Sequence, residues 1–375
     1  MKNLLLVVDP MPSGHSVQFE LFSSIIPKLS EVFMITLAST FFGDDKKEKF
    51  ANMGVKTHST GSETTYLAKL LSAIEKNNES MFWLESWLRE SLFRRNSKEF
   101  GSFIELGQFD VVVNATNTAP IAADVWWIQG PPLLTTLRGM AADNALARLA
   151  CKIGKQTIRA MDYRLIAESA AKSRKIVANS KYSYEVYLAL GLRINDVIFN
   201  VKSLHDFGPT TALPSRSFVL TYIGKETEIE TLVELASSGI RVVGFGSKLP
   251  LGVRTDLLKK SIDFRGRVTK AELMELYSNA LFTVFPFTDE PFGYVPLESM
   301  ACGTPVLTYG KQGPAETVVD GLTGWLASTR NELVQKAKTL WSERKTGISN
   351  RDCISRASMF GPEETTAKLM RLLDS

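Results

Sequence analysis

The sequence has few of the residues that build disulfide frameworks or zinc sites. It contains three cysteines and three histidines, and no C-x-x-C pair. An odd number of widely spaced cysteines does not support a disulfide framework, and this set of ligands does not support a zinc site. We therefore expect Cys151, Cys302 and Cys353 to be buried thiols.

Long apolar runs are also missing. No run reaches the roughly 18 residues that a membrane-spanning helix needs, so the sequence predicts no transmembrane segment. The apolar run that follows Met1-Lys2-Asn3 is too short for a signal peptide and is typical of a first buried strand. We expect a cytoplasmic protein.

Length and composition predict two domains. Of the 375 residues, 44% are apolar and 22% are charged, as in ordinary soluble globular proteins. The length exceeds that of a usual single core, and apolar runs alternate with helical patterns in both halves. The sequence predicts α/β domains over 1–207 and 218–357, a linker over 208–217, and an amphipathic helix within the C-terminal segment 358–375.

The stretch 285–316 carries the clearest functional pattern. An apolar strand ends at its first residue, a polar loop follows, Pro296 suits the first turn of a helix, and Gly303 follows its end. Unpaired amides at a helix N-terminus form a partly positive surface that suits phosphate or sugar oxygens. To this surface the loop adds the amides of Phe292, Gly293 and Tyr294.

Two carboxylates stand eight residues apart in this stretch. Glu290 lies on the entry loop and Glu298 on the first helical turn. Such a pair can hold two hydroxyl-bearing parts of one ligand, and a nucleotide-sugar has such parts. The alternative is that Glu290 is an ordinary turn residue and Glu298 a solvated helix residue.

The residues around this pair are similar to those of a known family. Glu290 is followed by Pro-Phe-Gly, the helix closes on Ala-Cys-Gly-Thr-Pro-Val, and a glycine turn over 313–316 follows the next strand. This combination resembles the retaining glycosyltransferases of family 4, among the glycosyl transferases group 1, closely in the C-terminal third and loosely elsewhere. The resemblance implies the GT-B fold, with two Rossmann-like domains facing a central cleft and a C-terminal helix that crosses back to the first domain.

The resemblance also implies roles for residues of the second domain. The backbone at Arg267 and Val268 reads the nucleobase, Glu298 binds ribose, and Glu290 contacts the donor sugar. The amides of residues 292–294 contact sugar and phosphate. The alternative for Arg267 is an ordinary surface charge. Independently of this, the alternative for Glu290 is a covalent nucleophile.

The loop after the strand at 218–224 departs from the family pattern. Members carry an arginine there and a lysine a few residues later, both directed at the donor diphosphate. Here Lys225 stands at the first position, the later lysine is absent, and acidic residues follow. Lys225 supplies a point charge without the bidentate geometry of arginine. Weaker phosphate binding, a second cation from elsewhere and an inactive homologue are the alternatives.

The first domain contributes three candidate residues. Gly14 follows the first strand and lets backbone amides approach a ligand. The family resemblance implies that this loop faces the donor diphosphate and the acceptor, which makes His15 a candidate contact. An ordinary turn is the alternative there. Gln129 ends the strand at 125–129, where relatives of the lipid-linked oligosaccharide mannosyltransferases carry histidine. Glutamine can bond a sugar hydroxyl but cannot exchange a proton near neutral pH.

Two segments are candidates for contact with a membrane. The helical pattern over 66–100 carries Trp83 and Trp87, which either pack in the core or contact lipid. A second helix has a basic face, which is either solvated or attracts anionic lipid headgroups or a diphosphate-linked acceptor. Nucleic acid is not predicted, because no binding module is recognised. The basic face consists of Arg148, Lys152, Lys155 and Arg159.

The leading hypothesis is a retaining transferase that moves a hexose from a UDP- or GDP-sugar to an acceptor hydroxyl, with neither metal nor other cofactor. Lys225 and the preorganised amides stabilise the leaving diphosphate. The acceptor is a saccharide, free or lipid-linked. The competing hypotheses are a catalytically silent homologue and a nucleotide-sugar epimerase of similar fold.

Overall fold

The chain folds into two α/β units. The computed structural model describes residues 1–11, 16–60, 100–105, 107–117, 119–132, 156, 159–160, 162–201, 203–211, 213–224, 227–246 and 262–374. The described residues of the N-terminal unit lie within 1–134, 153–203 and 362–375, and those of the C-terminal unit within 204–361. No helix among these residues is long and apolar enough to cross a membrane.

The N-terminal unit is built on a seven-stranded parallel sheet with the order β3-β2-β1-β4-β5-β6-β7. Residues 4–8 of its first strand are fully buried, as a parallel strand covered on both faces requires. The strands are β1 (Lys2–Val8), β2 (Phe33–Ser39), β3 (Lys56–Ser59), β4 (Val111–Ala115), β5 (Ala123–Ile128), β6 (Ser173–Ala178) and β7 (Asp196–Val197).

Helices cover this sheet. The described ones with defined bounds are α1 (Val17–Leu29), α2 (Asp44–Asn52) and α3 (Lys181–Ala189), and residues 100–105 and 162–171 are helical as well. Helix α1 begins directly after Ser16, because the Ser16 hydroxyl accepts a hydrogen bond from the Phe19 amide at 3.3 Å and so caps the helix. Its apolar face is buried against the sheet.

The C-terminal unit is built on a second parallel sheet, of six strands in the order β10-β9-β8-β11-β12-β13. The strands are β8 (Val219–Tyr222), β9 (Val242–Phe245), β10 (Asp263–Phe264), β11 (Thr283–Phe285), β12 (Val306–Tyr309) and β13 (Gly324–Ala327). The described helices of this unit are α4 (Ile229–Ser237), α5 (Lys270–Asn279), α6 (Tyr294–Ala301), α7 (Pro314–Thr317), α8 (Arg330–Glu343) and α9 (Asn350–Ser358).

The last helix, α10 (Pro362–Asp374), belongs to the N-terminal unit although it follows the C-terminal one in sequence. It packs against α1, and Lys175 Nζ donates a 2.8 Å hydrogen bond to the carbonyl of Leu372. Thr365 Oγ1 donates to the carbonyl of Phe199 at 3.1 Å. The predicted helix that crosses back to the first domain is therefore present.

Two of the three cysteines are buried thiols, as predicted. Burial, followed by the nearby Glu298 carboxylate, raises the pKa of Cys302 to about 12. Burial likewise raises the pKa of Cys353 to about 12. Both thiols therefore stay protonated near neutral pH, while Cys151 lies outside the described residues.

The aromatic segment and the basic helix face are the two candidates for contact with a membrane. Most of their residues lie outside the described residues. Trp83, Trp87, Arg148, Lys152 and Lys155 are among those outside. Phe100, at the end of the aromatic segment, is fully buried. Arg159, at the end of the basic face, is exposed, and its guanidinium lies 5.4 Å from the ring centroid of Tyr163.

Helix α10 should contribute to the stability of the N-terminal unit through Leu369, which is fully buried. We predict that Leu369→Ala lowers the free energy of unfolding by about 2–5 kcal/mol, because it removes buried methyl groups and leaves a cavity. Arg371→Ala, on the exposed side of the same helix, is the control and should change little. Urea unfolding of the full chain measures both. Equal effects would show that α10 is not packed as described.

Candidate functional site

The candidate site lies where the strand order of the second sheet reverses. Strands β8, β9 and β10 extend the sheet in one direction, and β11, β12 and β13 extend it in the other. In open α/β sheets, ligands bind at the carboxyl ends of the strands beside such a reversal. The loops that leave β8 and β11 meet there, because the Glu228 amide donates to the carbonyl of Pro286 at 2.9 Å.

The loop after β11 is held by its own carboxylate. Glu290 Oε1 accepts hydrogen bonds from the amides of Phe292 at 3.3 Å and Gly293 at 3.0 Å. The sequence predicted these amides as open to sugar and phosphate oxygens. In the structure both amides already donate to a negatively charged carboxylate oxygen, that of Glu290. A ligand oxygen would therefore have to replace this carboxylate.

Helix α6 begins at Tyr294, two residues before Pro296, and ends with Cys302 as its C-cap. Its N-cap is Gly293, with a left-handed φ of 86° that glycine adopts without strain. The space around this glycine is also narrow, since a Cβ there would lie 2.9 Å from Cγ of Pro314. The loop therefore turns sharply into the helix and carries Glu290 close to its N-terminus.

Glu298 lies one turn inside α6 and is buried, with 7% of its surface exposed. It is not the solvated helix residue of the alternative reading. Tyr277 Oη, on α5, donates a 2.9 Å hydrogen bond to Glu298 Oε2. Burial, followed by this carboxylate, raises the pKa of Tyr277 well above its ordinary value. Tyr277 is therefore a hydrogen-bond donor to Glu298 throughout the physiological pH range.

Arg267 and Val268 follow β10, which lies three strands away from β11. Arg267 is exposed and Val268 is half-buried. Both line an open cavity of about 780 Å³ that also includes Thr210, Ser215 and residues of α5. Neither Glu290 nor Glu298 is among the described residues of its lining. The nucleobase role of Arg267 and Val268 remains a prediction.

Gln129 follows β5 in the N-terminal unit, within a network of amide side chains. Its Oε1 accepts from Asn200 Nδ2 at 3.0 Å, and its Nε2 donates to the carbonyl of Trp127 at 3.3 Å. Its backbone amide donates to Asn117 Oδ1, and its carbonyl accepts from Asn179 Nδ2. Gln129 thus joins the ends of neighbouring strands in a polar but uncharged cluster.

Gly14, His15 and Lys225 lie outside the described residues, so their roles remain predictions. Sequence reasoning missed Tyr277 and Gln312, both of which contact the predicted carboxylate residues. Their partners are 21 and 22 residues away in the chain, and no local pattern marks such pairs. Within the described ranges, no group of three or more His, Cys, Asp or Glu side chains could hold a metal ion.

Comparison with known proteins agrees with this architecture. Residues 247–358 match the family model described as glycosyl transferases group 1. Over 65 residues the chain is 45% identical to alpha-1,3/1,6-mannosyltransferase alg-2 of Neurospora crassa, covering 17% of this chain and 14% of that protein. Over 243 residues it is 28% identical to D-inositol 3-phosphate glycosyltransferase of Rhodococcus opacus, covering 55% and 52%.

Solved structures extend the similarity to the full chain. Anabaena Alr3699/HepE in complex with UDP and glucose superposes with a TM-score of 0.65 at 15% identity, covering 100% of both chains. WaaG, a glycosyltransferase involved in lipopolysaccharide biosynthesis, gives 0.64 at 12% identity over 99% of both. Such low identities establish the fold alone.

Together these similarities confirm the predicted GT-B class of α/β fold. They also confirm the resemblance to group 1 glycosyltransferases over the segment 247–358. This segment includes α6 and the loop 286–293 between β11 and α6, here called the Glu290 loop. The chain spans about half of the length, or less, of the curated relatives named here.

The bond between Tyr277 and Glu298 yields a stability prediction. Tyr277→Phe should lower the free energy of unfolding by about 1.5–3 kcal/mol, because a buried carboxylate loses a hydrogen-bond donor. The difference in free energy of unfolding between this variant and wild type should shrink above about pH 10. There Tyr277 of the wild type ionises in the unfolded state but stays protonated in the folded state, where its pKa is raised, so wild type loses stability and the variant does not. Urea unfolding at pH 7 and pH 11 measures both effects. Tyr163→Phe, at an exposed tyrosine, is the control, and an equal loss there would contradict the assignment.

Proposed function

We propose that this chain is a retaining glycosyltransferase of family 4 that moves a hexosyl group from a nucleoside-diphosphate sugar to an acceptor hydroxyl. The observation that carries the proposal is the pairing of the Glu290 loop with the buried Glu298 at the strand-order reversal. The match of residues 247–358 to group 1 glycosyltransferases supports it. Structures of the same fold contain UDP or UDP-glucose, which supports a nucleotide-sugar donor.

In this proposal the two carboxylates have different tasks. Ribose hydroxyls donate to the Glu298 carboxylate, which Tyr277 orients. The Glu290 carboxylate exchanges the amides of Phe292 and Gly293 for hydroxyls of the donor sugar. The two amides then bind a sugar or phosphate oxygen. The carboxylate and the amides each replace one hydrogen-bond partner by another, so the exchange carries a small net cost.

The chemical step follows from the leaving group. The bond between the anomeric carbon and the diphosphate oxygen breaks, and its electron pair leaves with the phosphate. The acceptor oxygen bonds to the same face of the sugar, and its proton passes to the departing phosphate oxygen. Lys225 and the loop amides stabilise the charge that develops, and the step needs no metal.

A panel of nucleotides tests the donor. We expect UDP, GDP or ADP, with the matching glucose or mannose conjugate, to raise the thermal unfolding midpoint, also in EDTA, because a ligand of the native state stabilises it. Glu298→Ala should weaken nucleotide binding by about 1.5–3 kcal/mol, since a hydrogen bond to a charged group is lost. Gln335→Ala, on the exposed face of α8, is the control.

The same panel separates the competing hypotheses. A scaffold protein would show no shift with any nucleotide. A silent homologue would bind a nucleotide-sugar without releasing the nucleoside diphosphate, whereas the proposed transferase should release it slowly by hydrolysis. An epimerase would convert the donor sugar in the absence of an acceptor. A shift that appears only with Mg²⁺ or Mn²⁺ would contradict the metal-free step.

For the acceptor we propose a phosphate-linked lipid saccharide at an anionic membrane surface. Arg159 is exposed, and with Arg148, Lys152 and Lys155 it would form one basic helix face. Each such cation contributes on the order of 1 kcal/mol near an anionic bilayer. The acceptor would then be held reversibly, by the headgroup rather than by an inserted segment.

Vesicle sedimentation tests this surface. The protein should sediment with phosphatidylserine-containing vesicles at low ionic strength and be released at high salt, because the attraction is screened. Changing Arg148, Lys152, Lys155 and Arg159 to Glu should abolish sedimentation, while changing the exposed Lys336 and Lys345 to Glu should not. Equal binding to neutral vesicles would instead implicate the aromatic segment at 66–100. No binding to either would indicate a soluble acceptor.

A further inference from the structure

The loop after β12 contacts the Glu290 loop through the side chain of Gln312. Gln312 Oε1 accepts a 2.7 Å hydrogen bond from the Glu290 amide, and Gln312 Nε2 donates to the carbonyl of Phe287. The side-chain amide thus bridges two backbone groups of the loop that leaves β11. Both of its polar ends are used.

Phe287 gives this bridge a rigid base. Its side chain is buried and stacks on Phe285, with ring centroids 3.8 Å apart. It also stacks on Tyr222 of β8, at 5.9 Å. Gln312 therefore ties Glu290 to a residue that is itself packed against two central strands of the sheet.

Gln312 adopts an uncommon backbone conformation beside the Glu290 loop. Its φ is 69°, in the left-handed region that is uncommon for residues with a Cβ. The next residue, Gly313, donates its amide to the carbonyl of Glu290 at 3.0 Å. A Cβ on Gly313 would overlap the backbone of Pro291 and Phe292. The two loops are therefore in direct contact at the point where Gln312 reaches across.

The chemistry at position 312 is restrictive. Glutamine supplies an acceptor for the Glu290 amide and a donor for the Phe287 carbonyl, and it adds no charge. Glutamate would keep the acceptor but lose the donor, and it would bring a second carboxylate towards Glu290. Asparagine is one methylene shorter, so it cannot span the same two groups from this backbone position.

We propose that Gln312 is a positioning residue that sets the sugar-contacting geometry of Glu290. The inference rests on the proposed function, in which Glu290 contacts the donor sugar and Glu298 the ribose. Gln312 contacts the Glu290 loop, whereas the described hydrogen bond of Glu298 comes from Tyr277. Loss of the bridge should therefore affect the sugar end of the donor and spare the nucleoside end.

Binding measurements test the role. For Gln312→Ala we expect a three- to tenfold weaker Kd for the sugar conjugate, on the order of one hydrogen bond, and a smaller change in the Kd for the nucleoside diphosphate, which lacks the sugar that Glu290 contacts. The probes are UDP with UDP-glucose, GDP with GDP-mannose, or ADP with ADP-glucose, whichever pair binds wild type. Gln335→Ala should change neither constant. Equal weakening for both probes would mean a merely structural role and overturn the proposal.

Gln312→Gly separates the side chain from the backbone. Glycine relieves the left-handed φ but makes no bridge, so the sugar-specific loss should persist. If glycine restores wild-type binding, backbone strain is the cause and the proposal is wrong. Gln312→Glu keeps one of the two hydrogen bonds and should give a loss no smaller than that of alanine, since it also adds charge.

Hydrogen exchange keeps the proposal distinct from the proposed function. In the free protein, the Glu290 amide should exchange about three to ten times faster in Gln312→Ala than in wild type, because its acceptor is gone. This measurement needs no nucleotide. Faster exchange without nucleotide binding by wild type would disprove the donor hypothesis while leaving the bridge established. Unchanged exchange would disprove the bridge itself.

Discussion

The close approach of Gly313 to the backbone of Pro291 and Phe292 is the constraint on which the candidate site depends. A side chain there would overlap main-chain atoms, which cannot move aside as a flexible side chain can. The contact joins the loops after β11 and β12 directly before the chain turns into α6 at Gly293. The positions of Glu290 before this helix and Glu298 inside it follow from that turn. The strand-order reversal then sets the loop beside the end of β8, where ligands of open α/β sheets bind.

The two carboxylates are stabilised in different ways, and the difference bears on their use. Glu298 is buried, where an unpaired charge would be costly, and a buried tyrosine supplies its hydrogen bond. That partner belongs to another helix, α5. Glu290 instead binds the amides of its own loop. Under the proposed function, a ligand oxygen replaces the Glu290 carboxylate at those amides while Glu290 accepts from a sugar hydroxyl, so both groups have a hydrogen-bond partner before and after the donor binds.

In the N-terminal unit, uncharged amide side chains join the ends of neighbouring strands. Gln129 connects Asn117, Asn179 and Asn200, which follow β4, β6 and β7, through hydrogen bonds of its backbone and side chain. Amides both donate and accept, so one residue can join several strand ends without leaving an ion to be neutralised. No group in this cluster titrates near neutral pH. Under the proposed function, Gln129 does not take the acceptor proton, and that proton passes to the departing phosphate.

Local patterns in the sequence determined the elements of this protein, and tertiary packing determined their partners. The apolar run at 4–8 and the glycine after α6 predicted a strand and a helix end well, because these signals act over a few residues. The family resemblance that implied the GT-B class was carried by the contiguous motif around Glu290, which can be recognised without any knowledge of distant contacts. The occupied amides of Phe292 and Gly293 and the burial of Glu298 did not follow. The contacts of Tyr277 with Glu298 and of Gln312 with Glu290 did not follow either, because these partners come from other elements, which approach only when the strands take their order in the sheet. Such long-range fit leaves no periodic trace in a single sequence.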